Sequence, residues 1–126
     1  MDIAGLIKTA QQTSKNAYAP YSGLHVGAAL LTSDDNVFPG CNIENASYGL
    51  TLCAERAAVA NAVTAGHIRF KAIAVISDGE GYCRPCGVCR QVLREFGEDI
   101  LVIMAAKDGS YEARSIAELL PDSFNL

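Results

Sequence analysis

Three cysteines and one glutamate combine residue types and spacings that can do chemistry. They lie in the segments Cys53-Ala-Glu55 and Pro85-Cys86-Gly-Val-Cys89. If a helix begins after Pro85, the sulfurs of Cys86 and Cys89 fall on one face of its first turn. Cys53 also stands at the start of a predicted helix. The N-terminal end of a helix stabilises negative charge and favours thiolates, so the pattern predicts three thiolates converging from two helix starts.

Three thiolates suit a catalytic zinc ion. Zinc takes four ligands, and a site with three protein ligands leaves one position for water, as catalytic rather than structural sites do. Glu55 follows Cys53 by two residues and could reach that water without binding the metal. Activated water next to a proton carrier is what hydrolysis of an amino group requires.

Such a site also needs compensating positive charge. Three thiolates around Zn²⁺ leave one net negative charge, which weakens the ability of the metal to acidify water. Arg56 directly follows Glu55, and we predict that it donates hydrogen bonds to the thiolate sulfurs. A guanidinium pointing into bulk solvent would contradict this prediction.

Two other uses of the cysteines remain open at this level. Cys86 and Cys89 alone could form a redox dithiol, as in a thiol oxidoreductase. Cys83, three residues before Cys86, could complete a closed structural zinc site in an interaction module without turnover. A glutamate such as Glu55, taken alone, is more often an exposed helix carboxylate. The joint pattern, with its two parts about one helix and one strand apart, favours the catalytic hypothesis.

The helices and strands that must position these residues can be predicted from hydrophobic periodicity and from the Gly and Pro residues that interrupt it. Strands are predicted over residues 25–31, 37–41, 71–77, 100–105 and 111–114, the first two joined by a turn at 33–36. Helices are predicted over residues 2–16, 53–65, 87–96 and 116–120, with Gly66, Gly97 and Pro121 after the last three. This order indicates an α/β fold with helices layered on a mixed sheet.

Composition limits the class of protein. The 126 residues fit a single domain spanning 1–126, and with 50% apolar residues there is ample material for a core. The net charge is −4 and the ten Lys and Arg are scattered, which argues against a nucleic-acid partner. No window approaches the roughly 18 apolar residues of a membrane span. Five cysteines and no recognisable secretory signal predict a cytoplasmic protein without a disulfide framework.

The motifs resemble those of a known family over nearly the whole chain. A Cys-x-Glu followed by Pro-Cys-x-x-Cys is the signature of zinc deaminases that act on nucleobases. The sequence is similar to the small, single-domain cytidine deaminases in YAPYS at 18–22, VGAAL at 26–30, GCNIENASYG at 40–49, CAERAA at 53–58 and PCGVCRQVLREF at 85–96. The resemblance implies a three-layer α/β/α sandwich around a five-stranded mixed sheet. It also implies one Zn²⁺ per subunit, held by Cys53, Cys86 and Cys89.

The resemblance further implies a reaction and a substrate. Cytidine and deoxycytidine would be hydrolysed to uridine and deoxyuridine with release of ammonia, as in pyrimidine salvage. A hydroxide held by the zinc would attack C4 of cytosine while Glu55 shuttles the protons. Substrate-binding positions would be Asn42 and Glu44 for the sugar hydroxyls, with Leu24, Ala54, Ala46, Tyr48 and Phe124 lining the pocket or reaching it from a neighbouring subunit. The family is usually a homotetramer with shared active sites.

One position departs from the family. Leu24 stands where these enzymes commonly have a phenylalanine, and it keeps an apolar wall but loses a stacking face worth about 0.5–1.5 kcal/mol. A deaminase for another cytosine-containing small molecule, a nucleotide or an RNA base is therefore an alternative. The acidic Glu44 argues against a nearby phosphate. We interpret Cys41 as a buried small apolar residue and Cys83 as a loop thiol near the site.

Overall fold

Five strands form one mixed sheet with the order β2-β1-β3-β4-β5 in the computed structural model, which describes residues 1–126. The strands are β1 (Val26–Thr32), β2 (Val37–Cys41), β3 (Phe70–Ser77), β4 (Leu101–Ala105) and β5 (Tyr111–Ser115). Strands β3 and β4 are parallel, and the other neighbouring pairs are antiparallel. A parallel pair needs a crossover connection, and the segment between β3 and β4 contains a helix.

Four α-helices cover the two faces of this sheet. They are α1 (Ile3–Ser14), α2 (Ala54–Thr64), α3 (Gly87–Arg94) and α4 (Ile116–Leu119), with a short 3₁₀-helix over Tyr48–Leu50. Helix α1 buries Leu6, Ile7 and Ala10 against one face of the sheet. On the opposite face, one core cluster joins residues of α2, α3 and α4 to the strands. The predicted three-layer α/β/α sandwich with a five-stranded mixed sheet is confirmed.

Two glycines let helices lie directly on strands. A Cβ at Gly27 in β1 would collide with the backbone carbonyl of Ala10 in α1. A Cβ at Gly40 in β2 would collide with the backbone of Ala54 and Ala58 in α2. Because any other side chain would push the helix away, these glycines set how closely α1 and α2 approach the sheet.

All of the predicted helices and strands are present, and their ends lie within two residues of the predicted ones. Helix α1 begins at Ile3 because the Asp2 carboxylate accepts a hydrogen bond from the Gly5 amide and caps the helix. Helix α3 ends at Arg94 instead of residue 96, since the Phe96 amide turns back to the carbonyl of Leu93. No helix is both long and apolar enough to cross a bilayer.

Candidate active site

Three sulfur atoms meet at one point of the structure. The Sγ atoms of Cys53, Cys86 and Cys89 all lie within 4.8 Å of one another, and those of Cys53 and Cys86 are 3.8 Å apart. A tetrahedral zinc ion with Zn–S bonds near 2.3 Å holds its sulfurs about 3.8 Å apart. The donor set and its spacing therefore fit a zinc ion with three protein ligands.

The cysteines are positioned by the starts of two helices. Cys53 is the N-cap residue of α2 and Cys86 is the N-cap residue of α3. Cys89 lies one turn further along α3, and its backbone amide points to the Cys86 sulfur at 3.5 Å. Both helix dipoles thus present their positive ends to the sulfurs, which stabilises thiolates there. The pKa of Cys53 is lowered to about 5. The largest cause is a hydrogen bond from the Cys89 thiol, and the Arg56 guanidinium lowers the pKa further.

Arg56 turns its guanidinium toward this cluster. Its Nη2 donates to Cys53 Sγ at 3.2 Å and to the Thr51 carbonyl at 3.3 Å. Its Nε is buried without a hydrogen-bond partner, so the guanidinium points inward and not into bulk solvent. Close contact with the Cys53 sulfur raises the pKa of Arg56. The guanidinium therefore stands where it can offset the negative charge of the sulfurs.

Glu55 is a buried carboxylate next to the sulfurs. Only 4% of the residue is exposed, although a glutamate in the first turn of a helix is usually exposed to solvent. Burial, together with the charge on Cys53, raises its pKa to about 7. A carboxyl group that can hold a proton near neutrality is suited to move one between water and a substrate.

The remaining two cysteines lie outside the three-sulfur group. Cys83 is half-buried against the core cluster beneath α2 and α3, and burial raises the pKa of its thiol to about 12. Cys83 is not one of the cysteines whose sulfurs lie within 4.8 Å of one another, so a closed site of four cysteines is not formed. Cys41, in β2, is half-buried, so the interpretation as a buried small residue is only partly right. It lies on an edge strand of the sheet.

The Asn42 side chain holds the backbone on both sides of His25. The residue is 8% exposed. Its Oδ1 accepts from the Val26 amide at 2.8 Å, and its Nδ2 donates to the Leu24 carbonyl at 2.8 Å. These bonds leave one N–H and one oxygen lone pair on the amide. The Leu24 side chain is partly exposed and approaches Gly79 in the segment after β3.

Glu44 holds the loop that precedes β1. Its Oε1 accepts from the amides of Tyr21 and Ser22 at 2.9 and 3.1 Å, and its Oε2 accepts from the Ser22 hydroxyl at 2.5 Å. The hydrogen bond from this hydroxyl lowers the pKa of Glu44. A backbone bridge between Ile43 and Leu52 ties this segment to the residue that precedes Cys53. The structure thus brings Glu44 and the cysteine cluster onto neighbouring backbone segments.

The other sequence-predicted positions differ in burial. Ala54 is fully buried at the start of α2, whereas Ala46 is exposed. Tyr48 is 79% exposed, lies edge-on to Tyr21 and lines a surface pocket with Glu44. Phe124 is 70% exposed in the C-terminal segment.

Two residues of the site region were not predicted from the sequence to have a role. Ser22 donates to Glu44 and accepts from the Leu24 amide at 3.0 Å, so it links the two positions. Arg90 donates to the carbonyl of Pro85, the residue before Cys86, at 2.9 Å. Both bonds involve loop geometry that residue types do not specify. The position of Arg90 one turn after Cys86 was the only available hint.

A three-thiol site at two helix starts with a buried carboxylate next to it defines a metal-binding α/β protein. Comparison with known proteins makes the class specific. Residues 2–105 match the family described as the zinc-binding region of cytidine and deoxycytidylate deaminases. The chain belongs to this family.

Several relatives match over almost the full length. The chain is 45% identical to a cytidine deaminase of Sporosarcina psychrophila, over 99% of this chain and 93% of the relative. It is 47% identical to one of Halalkalibacterium halodurans, over 98% and 95%. The crystal structure of the cytidine deaminase from Burkholderia pseudomallei has a TM-score of 0.92 at 48% identity, covering 95% of this chain and 97% of that one.

Proposed function

We propose that this chain hydrolyses cytidine and deoxycytidine to uridine and deoxyuridine with release of ammonia. The observation that carries the proposal is the buried carboxylate of Glu55 next to three converging sulfurs. Full-length relatives named cytidine deaminase, at 45–47% identity, support the choice of substrate. A hydrolytic site needs both water activation and a proton carrier, and this cluster has residues for each.

One zinc ion per subunit is the proposed cofactor, with Cys53, Cys86 and Cys89 as its ligands. When bound, it would lower the pKa of a water molecule and stabilise negative charge that develops on oxygen during the reaction. Arg56, 3.2 Å from the Cys53 sulfur, would reduce the excess negative charge of three thiolates. The positive N-terminal ends of the α2 and α3 helix dipoles would offset this negative charge further.

Glu55 is the proposed proton carrier. Its carboxylate would take a proton from the attacking water and deliver it to N3 of the cytosine ring, which makes C4 more electrophilic. It would then carry the second proton of the water to the amino group, so that ammonia leaves and the carbonyl of the product forms. Burial at 4% exposure keeps bulk water from competing for these protons.

Asn42 and Glu44 are the proposed sugar-binding residues. Glu44 already accepts three hydrogen bonds, so it retains room for one donor such as a ribose hydroxyl. Leu24 and Ala54 would form part of the wall around the base. Ala46, Tyr48 and Phe124 would complete the sites of neighbouring subunits in a homotetramer, which the exposure of the two aromatic side chains supports.

The biological setting follows from this chemistry. The reaction would return cytosine nucleosides to the uridine pool in pyrimidine salvage. All five cysteines are free, and free thiols are typical of a reducing compartment such as the cytoplasm. No nucleic-acid or membrane partner is proposed, since the substrate is a small nucleoside.

The test is ammonia release by the purified, zinc-loaded protein from cytidine, deoxycytidine, adenosine, guanine, CMP and blasticidin S. Turnover of the two cytosine nucleosides, with little on the others, is expected. Turnover of blasticidin S or CMP alone would move the proposal to another cytosine-containing molecule. Bound zinc without turnover of any compound would favour a structural zinc module.

A further inference from the structure

Helix α3 directs two arginines toward the C-terminal part of the chain. Arg90 donates through Nε to the carbonyl of Pro85 at 2.9 Å and through Nη1 to the carbonyl of Leu119 at 2.9 Å. Arg94, one turn later, donates to the Ser123 hydroxyl at 2.8 Å and to Glu98 at 2.7 Å. Both arginines therefore tie α3 to the C-terminal segment, but only Arg90 also reaches the loop that carries a metal ligand.

The Pro85 carbonyl belongs to the peptide bond that leads into Cys86. Pro85 is buried, so this carbonyl depends on a partner within the protein rather than on water. Because a peptide unit is planar, holding its oxygen also fixes the direction in which the chain enters Cys86. The Arg90 guanidinium thus acts on the backbone of one ligand from within the helix that supplies another, Cys89.

The second partner of Arg90 gives it a fixed anchor. Leu119 is the last residue of α4, whose final carbonyls have no partner within the helix. A planar guanidinium that bonds two carbonyls at once is restrained in both position and orientation. Its long side chain is therefore not free to follow the ligand loop if that loop shifts.

We propose that Arg90 is a positioning residue for the metal site. It holds the Pro85–Cys86 peptide against the end of α4 and so maintains the 3.8 Å separation between the sulfurs of Cys86 and Cys53. This inference rests on the proposed zinc site. It assigns to Arg90 the retention of the ion, whereas Arg56 acts on the charge of the sulfurs directly.

The experiment compares Arg90→Gln with Arg94→Gln in zinc-loaded protein. Arg94 is the matched control because it lies on the same helix, contacts the same C-terminal segment and has no bond to the ligand loop. Zinc release to excess 4-(2-pyridylazo)resorcinol is followed well below the Tm of each variant. Groups that support metal ligands typically change affinity by about 10–100-fold, so Arg90→Gln should release zinc at least about tenfold faster than the unmodified protein. Arg94→Gln should remain within about twofold.

Arg90→Lys keeps the charge and one of the two bonds, and it should release zinc at an intermediate rate. If Arg90→Gln does not fold, Arg90→Lys is compared with Arg94→Gln in its place. Cobalt substitution adds a spectroscopic readout, because the visible bands of a Co²⁺–thiolate site shift when its geometry changes. They should shift in the Arg90 variants and not in Arg94→Gln.

Three results would overturn the proposal. Equal acceleration of zinc release in the Arg90 and Arg94 variants would mean general loosening of α3. An unchanged rate of zinc release in the Arg90 variants would mean that the Pro85–Cys86 segment keeps its position without Arg90. An unmodified protein that takes up no zinc would contradict the proposed function as well, which separates that failure from the other two.

Discussion

The two faces of the sheet are built with the same packing device but carry different chemistry. On one face, α1 lies on β1 over Gly27, and on the other, α2 lies on β2 over Gly40. The cluster beneath α1 consists of small and aliphatic side chains. The opposite cluster is larger and is bordered by the three sulfurs and Glu55.

The difference lies in what stands at the helix starts. Helix α1 begins after Asp2, whose carboxylate accepts from the Gly5 amide and caps the helix. Helices α2 and α3 begin with Cys53 and Cys86 at the same structural position. A thiolate at an N-cap receives the same dipole stabilisation but remains available to a soft metal. One helix start therefore supports stability alone, and the other two support a site.

The largest effect is expected on catalytic activity, which a substitution at Glu55 should lower and one at the start of α1 should not. Glu55→Gln should lower kcat by about 10²–10⁴-fold, the usual contribution of a general acid–base group, while zinc content and Tm stay near those of the unmodified protein. Steady-state ammonia release and zinc per chain are the measurements. Asp2→Asn, which keeps a capping side chain on α1, is the control and should retain full turnover. Near-native kcat in Glu55→Gln would remove the proton-carrier role.

The next prediction concerns the packing of the α1 face. Leu6 is 4% exposed beneath α1, and Leu6→Ala should reduce the free energy of unfolding by about 2–5 kcal/mol. Urea denaturation measures the loss. Below the transition, kcat and zinc content per folded chain should not change, because no residue of this cluster touches the site. A variant that folds but loses zinc would break the separation of the two faces.

The glycine pair sharpens the comparison. Gly27→Ala and Gly40→Ala should each cost about 1–3 kcal/mol of stability, since the new methyl group meets helix backbone and the helix must shift away from the sheet to admit it. Only Gly40→Ala presses on the helix that carries Cys53 and Glu55, so it alone should accelerate zinc release. Thermal unfolding and dye-based zinc release measure the two effects. Equal zinc release in both variants would count against independent faces.

The smallest effect is expected at an exposed ion pair that belongs to neither cluster. Lys71 and Asp35 are 2.7 Å apart, with 42% and 74% of their side chains exposed. Solvent and salt screen such a pair, so Lys71→Ala should change the free energy of unfolding by less than about 1 kcal/mol. Denaturation at low and high salt measures this change, and a shift well above that limit would indicate an unrecognised structural role.

Local sequence determined much of this molecule. Periodicity and helix- or strand-breaking residues located every α-helix and strand, because each of these elements buries a side-chain pattern that repeats over a few residues. The short 3₁₀-helix over Tyr48–Leu50 was not predicted. The same local information placed Cys53 and Cys86 at helix starts, and it set Glu55 two residues from Cys53. The residue types and their spacing already predicted zinc, and the family resemblance added the expected substrate. Helix ends were off by up to two residues because capping depends on individual hydrogen bonds.

Only the tertiary structure decided which distant groups meet. Glu44 contacts a loop 22 and 23 positions away, and Arg90 reaches the carbonyl of Leu119, 29 positions away. Burial of Glu55 likewise depends on the packing of α2 against the sheet. Backbone amides and carbonyls are the same in nearly every residue, so their use as partners leaves no trace in residue type. For that reason the three cysteines whose sulfurs converge could be predicted from sequence, whereas the contacts that hold them in place could not.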